Sequence, residues 1–378
     1  MRPKSGKPKR RPLRMKPLFQ HGFRENPATE SYRHPTLSGL EYPNAIPVVS
    51  LFAGCGGMDL GFLGGFRHLR ETYPTGPFCI VDAIDNDERA IDTYRLNIGA
   101  HGRVGDLTII PPQSLPKCRV LLGGFPCQDF SSSGPKVGFA GARGQLYRVL
   151  FEYMQVHQPE IVVAENVPHL ARLNHGGYLK KILADFESCG YAFDVWEMYG
   201  PDYGLPQSRR RLFLVGVRND INGRPICPAP SHRNGYISID AAIGDLESVT
   251  DESITNQSQY FVATKASAGG GQGDHTNRRG EPAYCIRANA KARIQFHYLL
   301  DRRLTVRECA RVQSFPDEFV FPFSAMTAMS QIGNAVPPLL AHKVATSISN
   351  FIANPERYGV TVRRPQQADL FSALSLEA

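Results

Sequence analysis

The segment AIPVVSLFAGCGGMDLG (45–61) decides the fold. Its first half is a mostly apolar run with branched side chains, which is typical of a strand buried on both faces. Glycines at positions 54, 56 and 57 follow directly, and residues with helical spacing lie beyond them. Glycine lets the backbone turn sharply and lets a ligand approach it closely. The segment therefore predicts a strand, a ligand-binding turn and a helix, in that order.

The same order of strand and helix recurs through Val217. Further strands are predicted at FCIVDAID (78–85), RVLLGG (119–124), EIVVAEN (160–166), DVWEMY (194–199) and RRLFLVGV (210–217). Segments with helical spacing follow each of the first four strands of the chain. This alternation predicts a doubly wound, mostly parallel α/β sheet of the Rossmann-like kind, covered by helices on both faces. Ligands of such sheets bind at the carboxyl ends of the strands.

The charge of the chain is unevenly distributed. The 378 residues carry a formal net charge of +8, with a sequence pI near 9.1. Residues 1–16 hold eight Lys and Arg and no acid, residues 17–202 hold 15 basic against 20 acidic residues, and residues 203–311 hold 16 against 10. A polyanion would therefore meet the second half of the folded body. The basic arm has two open interpretations, a solvated tail or an extension that grips DNA.

Composition argues against several classes of protein. The sequence has no run of about 18 apolar residues, so it predicts no membrane span. It has no apolar region near its first residues, so it predicts no secretory signal. The eight cysteines are scattered without a C-x-x-C pair or a His/Cys ligand spacing. This pattern argues against a zinc site or a disulfide framework and favours a reducing cytosol. We therefore expect a cytoplasmic protein without a metal.

The glycine turn departs from the dinucleotide-binding fingerprint. G-x-G-x-x-G would require a third glycine at position 59, where this chain has Asp59. The departure favours a nucleoside ligand without a pyrophosphate. Asp85 ends the second strand and suits ribose hydroxyls, and Asp106 is a second acid at a strand end. Either acid could instead cap a helix, but the glycine turn upstream favours ligand binding.

The segment GGFPCQDFSSSG (123–134) sets a thiol in a polar loop just beyond a predicted strand. A lone cysteine is usually a small core residue, but at a ligand-binding edge Cys127 is a candidate nucleophile. AENVPHL places Glu165 at the same edge. A thiol and a carboxyl beside a nucleoside suggest covalent attack assisted by an acid. QSRRRLF adds Arg209 and Arg211, which share a face by strand alternation.

Six segments resemble, in this order, the signature blocks of the DNA (cytosine-5) methyltransferases: FAGCGG, GGFPCQDFSSSG, ENV, QSRRR, RRLTVRECARVQSFPD and QIGNAVPP. An ordered set is more specific than any single motif. The resemblance implies an enzyme of the bacterial type II restriction–modification kind, with S-adenosylmethionine as its cofactor. Such an enzyme methylates carbon-5 of a cytosine within a duplex DNA site, which we expect to span about four to six base pairs.

The resemblance also implies which residues carry the chemistry. Cys127 matches the nucleophile that attacks carbon-6 of the cytosine. Glu165 matches the acid that protonates or hydrogen-bonds N3, and Arg211 matches the arginine that contacts the flipped base. Arg209 receives a supporting role. The cytosine must leave the base stack for this reaction, at a cost of a few kcal/mol.

For the cofactor, the resemblance implies a pocket built from both ends of the chain. The residues that match are Phe52, Ala53, Gly54, Cys55, Gly56, Gly57, Asp85, Asn86, Asp106, Leu107, Asn334 and Val336. Asp85 occupies a position that is more often Glu, so the carboxylate is kept on a shorter side chain. Asn86 stands where an aromatic or apolar residue often stacks on adenine, which puts its stacking role in doubt. The last helix is then expected beside the first strand.

The predicted domain organisation is a basic, disordered arm (1–44), a catalytic and cofactor-binding domain (45–218), a target-recognition domain (219–300), a return to the catalytic domain (301–354) and a C-terminal tail (355–378). Composition predicts a separate loop-rich domain at 219–300, and the resemblance implies that it recognises the target. The recognition region is rich in Gly, Pro, Ser, Asn and Arg. Predicted DNA contacts are Ser131, Arg143, Arg278, Arg279, Arg287, Lys291 and Arg293. Arginine and lysine suit phosphates and guanine edges.

Other functions are weighed against this one. An NAD-dependent enzyme with a catalytic cysteine would leave Asp59 unexplained. A non-catalytic DNA-binding module would lack Cys127, Glu165 or Arg211, and all three are present. A tRNA cytosine-5 methyltransferase remains the alternative, because it would use the same chemistry. The expected partners are double-stranded DNA and a restriction endonuclease for the same site, and we expect a cytoplasmic, nucleoid-associated monomer.

Overall fold

A computed structural model describes residues 45–126, 146–260, 275–289 and 295–358. The predicted arm, most of the C-terminal tail and several predicted site residues lie outside the described residues. These site residues are Cys127, Ser131, Arg143, Lys291 and Arg293. No helix in the described part of the chain is long and apolar enough to cross a membrane.

Seven strands form the central sheet of the described residues, in the order β5-β4-β1-β6-β7-β9-β8. The strands are β1 (Ile46–Leu51), β2 (Phe66–His68), β3 (Glu71–Tyr73), β4 (Phe78–Asp85), β5 (Gly102–Val104), β6 (Val120–Gly123), β7 (Ile161–Asn166), β8 (Tyr191–Tyr199), β9 (Arg210–Arg218), β10 (His275–Thr276) and β11 (Gln295–Phe296). The five strands from β5 to β7 pair in parallel, whereas β9 is antiparallel to both β7 and β8. The predicted mostly parallel α/β fold is confirmed.

Helices cover both faces of this sheet. They are α1 (Gly57–Leu63), α2 (Glu88–Asn97), α3 (Tyr147–His157), α4 (His169–Arg172), α5 (Gly177–Glu187), α6 (Ile239–Ile243), α7 (Val306–Val312), α8 (Ala325–Asn334) and α9 (Pro338–Ala353). One buried apolar cluster packs α3 and α5 against the sheet, and a second packs α1, α7 and α9 against the other face. Burial on both faces explains why β1, β6 and β7 are almost continuously apolar.

The register brings four strand ends to one edge of the sheet. Leu51 of β1 pairs with Ile84 of β4 and with Gly123 of β6, and β7 ends at this level with Asn166. Because β9 runs antiparallel, it begins rather than ends at this edge, and Asn166 pairs with Leu212. The chain therefore delivers Arg211 to the edge where the parallel strands finish.

The last long helix returns to the beginning of the fold. α9 packs along α1, the helix that directly follows β1. A Cβ added to Gly61 would lie 2.4 Å from the Ala341 Cβ and 2.5 Å from the Pro338 carbonyl oxygen. The contact is therefore closer than a side chain at position 61 would permit. This packing brings the segment around Asn334 to the glycine turn.

The loop-rich region after β9 is anchored to the segments that follow it. Arg311 of α7 donates to Asp245 at 2.6 Å and to Asp317 at 2.6 Å. The Asn256 side chain donates to the Phe321 carbonyl at 2.9 Å and accepts from the Phe321 amide at 3.0 Å. Within the described part of this region, regular structure is limited to the short elements α6, β10 and β11 and one turn of 3-10 helix.

Candidate active site

A cavity of about 1180 Å³ opens at the carboxyl edge of the sheet. Its lining includes Glu165, Arg211 and every predicted cofactor residue except Gly56. Sequence analysis missed other lining residues: Ser50, Met58, Asp87, Glu88, Arg89, Gly105, Thr108, Gly124, Phe125, Pro126, Leu146, Asn166, Val167, Met326, Thr327, Ser330, Gln331, Gly333 and Ala335. One cavity thus joins the end of β1, the end of β4, the end of β7 and the start of α8.

The glycine turn forms the floor of one end of this cavity. Gly54 has a φ of 56°, and a Cβ added there would meet nothing within 4 Å, so its backbone is open to a ligand. Gly57 instead packs against the C-terminal segment, where an added Cβ would lie 2.4 Å from the Val336 carbonyl oxygen. Gly56 faces away from the cavity, and its added Cβ would collide with Ile98 and Tyr94. The three glycines therefore have different roles: Gly54 leaves its backbone open to a ligand, Gly57 allows close packing of the C-terminal segment, and Gly56 allows close packing of Ile98 and Tyr94.

Asp85 stands beside this turn with its carboxylate held by backbone amides. Its Oδ2 accepts from the Gly54 amide at 2.8 Å, and its Oδ1 accepts from the Asp87 amide at 2.9 Å. Burial raises the pKa of Asp85, while these amide hydrogen bonds oppose the rise. Each oxygen retains a further lone pair. The carboxylate can therefore accept hydrogen bonds from the two hydroxyls of a ribose.

The helix-cap alternative is wrong for Asp85 and Asp106. The cap of α2 is Asp87, whose side chain accepts from the Arg89 and Ala90 amides. Asp106 lies after β5 and accepts from the Thr108 amide at 2.9 Å and hydroxyl at 2.7 Å, which holds the pKa of Asp106 low. Leu107, next to it, is buried and lines the cavity.

The other end of the cavity holds a buried ion pair. Arg211 Nε lies 2.8 Å from Glu165 Oε1, and each side chain is 12% exposed. Burial raises the pKa of Glu165, and the positive charges of Arg211 and Arg209 oppose the rise. A carboxyl shifted in this way can hold a proton at a higher pH than usual. Glu165 and Arg211 together can donate to and accept from the edge of a polar ring.

Asn166 ties this ion pair to the loop that precedes Cys127. Its Nδ2 donates to the Phe125 carbonyl at 3.1 Å, and its Oδ1 accepts from the Val167 amide at 2.9 Å. Phe125 is buried, and Pro126 lines the cavity. The described chain therefore leads toward Cys127 from the same end of the cavity that holds Glu165.

Arg209 lies behind the cavity and does not line it. Its guanidinium is buried and donates to the carbonyl oxygens of Ile286 at 2.8 Å, Gly333 at 2.9 Å and Ala335 at 2.9 Å. Burial lowers the pKa of Arg209 to about 10, which leaves the side chain charged near neutral pH. Arg209 therefore fixes the backbone on both sides of Asn334 rather than contacting a ligand.

Helix α8 supplies the side of the cavity that sequence analysis missed. Met326, Thr327, Ser330 and Gln331 line the cavity from this helix, and Asn334 ends it. The Gln331 Oε1 accepts from the buried Thr93 hydroxyl at 2.9 Å, which joins α8 to α2. Sequence analysis assigned a site role in this helix only to Asn334, within QIGNAVPP, and did not predict the helix that precedes it.

The described arginines predicted to contact DNA lie outside the cavity lining. Arg278 and Arg279 are exposed and pair with Glu281 at 3.7 Å and Asp240 at 3.6 Å. Arg287 is exposed, and the backbone at its carbonyl carbon would lie 2.3 Å from a Cβ added to Gly333. The segment around Arg287 thus contacts the segment that carries Asn334.

The donor set fits an organic cofactor. Among the described residues, no group of three or more His, Cys, Asp or Glu side chains could hold a metal ion. The cavity thiol of Cys55 is buried, and burial raises its pKa to about 12, so it is a poor nucleophile. An open glycine backbone, an amide-held carboxylate and a large cavity suit a nucleoside-based ligand.

Comparison with known proteins adds an independent line of evidence. The family model for the C-5 cytosine-specific DNA methylases matches residues 46–350. The type II methyltransferase M.NgoFVII of Neisseria gonorrhoeae is 34% identical over 335 residues, which cover 81% of this chain and 87% of the relative. The type II methyltransferase M.BsuRI of Bacillus subtilis is 32% identical over 362 residues, covering 82% and 80%.

Solved structures show the same fold at lower sequence identity. A structure assigned as a DNA modification methyltransferase of an E. coli prophage superposes with a TM-score of 0.61 at 19% identity, covering 82% of this chain and 100% of that one. Dnmt2 of S. pombe gives a TM-score of 0.60 at 18% identity, covering 82% and 99%. At these identities the likeness establishes the fold alone.

Proposed function

The chain belongs to the C-5 cytosine-specific DNA methylases and is a DNA (cytosine-5)-methyltransferase of the restriction–modification type, and we propose that it acts by flipping its target base and attacking it with Cys127. The supporting observation is the ion pair of Glu165 and Arg211, which shares one cavity with the glycine turn and Asp85. A base held by Glu165 and Arg211 would present its ring to a nucleoside cofactor held at the glycine turn and Asp85.

The proposed cofactor is S-adenosylmethionine, which the family uses generally. Asp85 would hold the ribose hydroxyls, Asp106 and Leu107 the adenine edge, and the backbone at Gly54 the methionine side. Asn334 and Val336 would close the pocket from the C-terminal segment. When bound, the cofactor supplies an electrophilic methyl group. The volume of about 1180 Å³ leaves room for a nucleoside and a flipped base together.

In the proposed mechanism the cytosine ring is activated by two side chains. The Cys127 thiolate forms a bond to carbon-6, and the Glu165 carboxyl gives its proton to N3. The electron pair so displaced makes carbon-5 nucleophilic. After carbon-5 is methylated, its proton passes to a water molecule acting as base, and the electron pair of that bond re-forms the double bond to carbon-6 as the carbon-6–sulfur bond breaks. The thiolate is then restored, and N3 returns its proton to Glu165. The raised pKa of Glu165 supports its part in this scheme.

Arg211 has a supporting part in the same scheme. Its guanidinium would contact the flipped base while its ion pair orients Glu165. A guanidinium presents several donors in a fixed plane, which suits a planar ring. Arg209 would act through the backbone, because its described contacts are main-chain carbonyls and one sulfur atom. We therefore propose Arg209 as a positioning residue.

The finer features of the target complex are also proposals. Residues 219–300 would form the target-recognition domain and read about four to six base pairs of duplex DNA. Arg278, Arg279 and Arg287 would contact phosphates or base edges, as would Ser131, Arg143, Lys291 and Arg293 outside the described residues. We propose that the enzyme is a monomer at the cytoplasmic nucleoid and protects DNA from an endonuclease for the same site. The basic arm would add phosphate contacts.

A methylation map tests this proposal directly. Unmethylated genomic DNA is incubated with the full chain and S-adenosylmethionine, and 5-methylcytosine is read at base resolution. We expect marks at one short sequence for the wild type and for Cys189→Ser, whose cysteine lies just beyond the end of α5. We expect none for Cys127→Ser. Marks made by Cys127→Ser would overturn the covalent mechanism, and the absence of marks with every variant would overturn the DNA substrate.

A trapping experiment tests the covalent step itself. A duplex with 5-fluorocytosine at the mapped position cannot lose a proton from carbon-5, so the adduct should persist on a denaturing gel. We expect a stable complex with the wild type and none with Cys127→Ser. The tRNA alternative would instead give labelled RNA in a parallel reaction. No described feature favours it, since the likeness to Dnmt2 concerns the fold alone.

A further inference from the structure

One face of α2 joins this helix to the C-terminal part of the chain. Positions 89, 93 and 97 are four residues apart, so their side chains share that face. The Asn97 Nδ2 donates to the Val320 carbonyl at 2.8 Å, and its Oδ1 accepts from the Val320 amide at 2.6 Å. The Thr93 hydroxyl donates to Gln331 Oε1 at 2.9 Å. Because Thr93 and Asn97 are both buried, these contacts fix the position of α2 against α8 and the segment before it.

Arg89 is the member of this face that reaches the cavity. Its side chain is exposed and lines the cavity, whereas Thr93 and Asn97 are not part of the lining. The Arg89 Nη1 donates to the hydroxyl of Thr327, in α8, at 3.5 Å, which is long for a hydrogen bond. Thr327 also lines the cavity. The Arg89 side chain therefore extends from α2 to α8 at the cavity surface, held there by a weak contact.

The charges around Arg89 leave it available to a ligand. The acidic side chains that line this end of the cavity are Asp85, Asp87, Glu88 and Asp106. Within the described ranges, no carboxylate oxygen lies within 4.0 Å of the Arg89 guanidinium, whose hydrogen bond is to a neutral hydroxyl. Arg211, at the other end of the lining, instead pairs with Glu165 at 2.8 Å. Arg89 is thus a cavity cation whose counter-charge a ligand could supply.

The direction of the Arg89 side chain indicates which part of the cofactor it would meet. The proposed adenine contacts follow β5, at the edge of the sheet, whereas the proposed methionine contacts lie at the glycine turn and at the end of α8. The Cys55 thiol of the turn donates to the Gln331 carbonyl of α8 at 3.8 Å, so the turn and this helix are adjacent. Arg89 reaches toward α8, and therefore toward the side proposed for the methionine part.

We propose that Arg89 binds the carboxylate of the methionine part of the cofactor and thereby selects nucleosides that carry this group. This inference rests on the proposed function. A guanidinium offers two parallel N–H donors that match the two oxygens of a carboxylate. Arg89 gives up only its long contact with Thr327 to make this pair. The acids beside it repel a ligand carboxylate, so a cation is needed at this position for the group to bind.

Two nucleosides that differ only in this carboxylate test the proposal. They are S-adenosylmethionine and its decarboxylated analogue, and their binding to the full chain without DNA is measured by titration calorimetry. We expect the wild type to bind S-adenosylmethionine about five- to tenfold more tightly than the analogue. Arg89→Met should lose most of this preference by weakening S-adenosylmethionine, while its affinity for the analogue changes less than about twofold. Arg89→Lys should keep part of the preference, because it keeps the charge without the planar fork.

Two control variants separate the charge of Arg89 from its contact with α8. Arg95→Met removes an exposed arginine of the same helix, which pairs with Asp92 at 3.5 Å, and should keep the wild-type preference. Thr327→Val removes the hydroxyl that Arg89 contacts and nearly keeps the shape. This variant should also keep the preference, since the proposed partner of Arg89 is the ligand.

A salt series adds a measurement on the wild type that does not depend on how a variant folds. Salt screens a pair that is partly exposed. We expect the wild-type preference for S-adenosylmethionine over the analogue to shrink as the salt concentration rises. The ratio for Arg89→Met should change little over the same series. A wild-type ratio that is flat with salt, or equal affinities for the two nucleosides, would overturn the proposal.

The variants can overturn the inference in three further ways. Equal losses for both nucleosides in Arg89→Met, reproduced by Thr327→Val, would make Arg89 a structural link between α2 and α8. Unchanged binding of both nucleosides together with weaker binding of duplex DNA would make it a DNA contact instead. If the wild type binds neither nucleoside, the proposed function itself has failed and the inference falls with it. DNA plays no part in the titrations, so a failure to methylate DNA leaves them readable.

Discussion

The two ends of the cavity treat negative charge in opposite ways. At the end of β7 the Glu165 carboxyl is paired with Arg211 at 2.8 Å. At the glycine turn Asp85 and Asp59 lie without a cation within 4.0 Å among the residues that the structure describes. One end therefore carries its own counter-charge, while the acids at the other end form no ion pair within the described residues. The comparison teaches that the charge balance of a site, and not only its shape, indicates which ligand belongs where.

The largest effect is expected from removing the acid of the Glu165–Arg211 ion pair. We expect Glu165→Gln to lower the rate of methylation by about 10²–10⁴-fold, because amide nitrogen cannot supply the proton that activates the ring. Single-turnover methylation of a duplex with the mapped site measures the rate. The affinity for S-adenosylmethionine should stay within about twofold of the wild type. A variant that loses both would show that Glu165 supports the whole cavity rather than the reacting ring.

The next largest effect is expected behind the cavity. Arg209→Met should lower the free energy of unfolding by about 3–5 kcal/mol, because three buried carbonyl groups lose their donor. Urea unfolding followed by fluorescence measures the change. Arg210→Met is the matched control, since this neighbouring arginine is exposed and its ion pair with Glu197 is expected to contribute about 0–1 kcal/mol. Similar losses for the two variants would contradict the role of Arg209.

At the unpaired end, the prediction concerns the ribose. Asp85→Asn should weaken binding of S-adenosylmethionine and S-adenosylhomocysteine alike, by about tenfold, because both share the ribose that the carboxylate would hold. Calorimetry with each nucleoside measures the affinities. Asp92→Asn, on the exposed side of α2, should bind both as the wild type does. A loss confined to S-adenosylmethionine would contradict the ribose role of Asp85, since both nucleosides carry the same ribose.

The smallest effect is expected at the surface of the recognition region. Arg279→Ala should weaken duplex binding only a few-fold and reduce the slope of log affinity against log salt by about 1, if Arg279 contacts one phosphate. The slope is measured by fluorescence anisotropy over a series of salt concentrations. Arg95→Ala, in α2, removes a comparable exposed charge far from this region in sequence. An unchanged slope for Arg279→Ala would remove this residue from the interface.

The sequence predicted the longer, largely buried strands of the central sheet. The runs at 78–85 and 160–166 became β4 and β7: β7 is buried along its whole length, and β4 is mostly apolar with Val81 exposed. The short strands β2, β3 and β5 were not predicted, because three residues are too few to show a periodic pattern. The antiparallel direction of β9 was not predicted either, because side chains alternate in the same way along a strand whichever direction it runs.

The site was predictable where its residues end strands and unpredictable where they are brought in by packing. Asp85 and Glu165 follow from the rule that ligands bind at the carboxyl edge. The lining residues Met326, Thr327 and Ser330 of α8 precede the QIGNAVPP segment and carry no motif that marks them, and packing of α9 on α1 brings this part of the chain to the glycine turn. Cys127 lies outside the described residues, so its role stays a prediction.

The way Arg209 is bound has a consequence for how this protein can change over generations. Three of its contacts are main-chain carbonyls, at Ile286, Gly333 and Ala335, and Cys285 Sγ at 3.5 Å is the side-chain contact beside them. A main-chain carbonyl oxygen is present whichever side chain a substitution introduces. If residues 219–300 form the proposed target-recognition domain, their side chains, and with them the preferred DNA sequence, can be exchanged while the Ile286 carbonyl keeps the segment bound to Arg209.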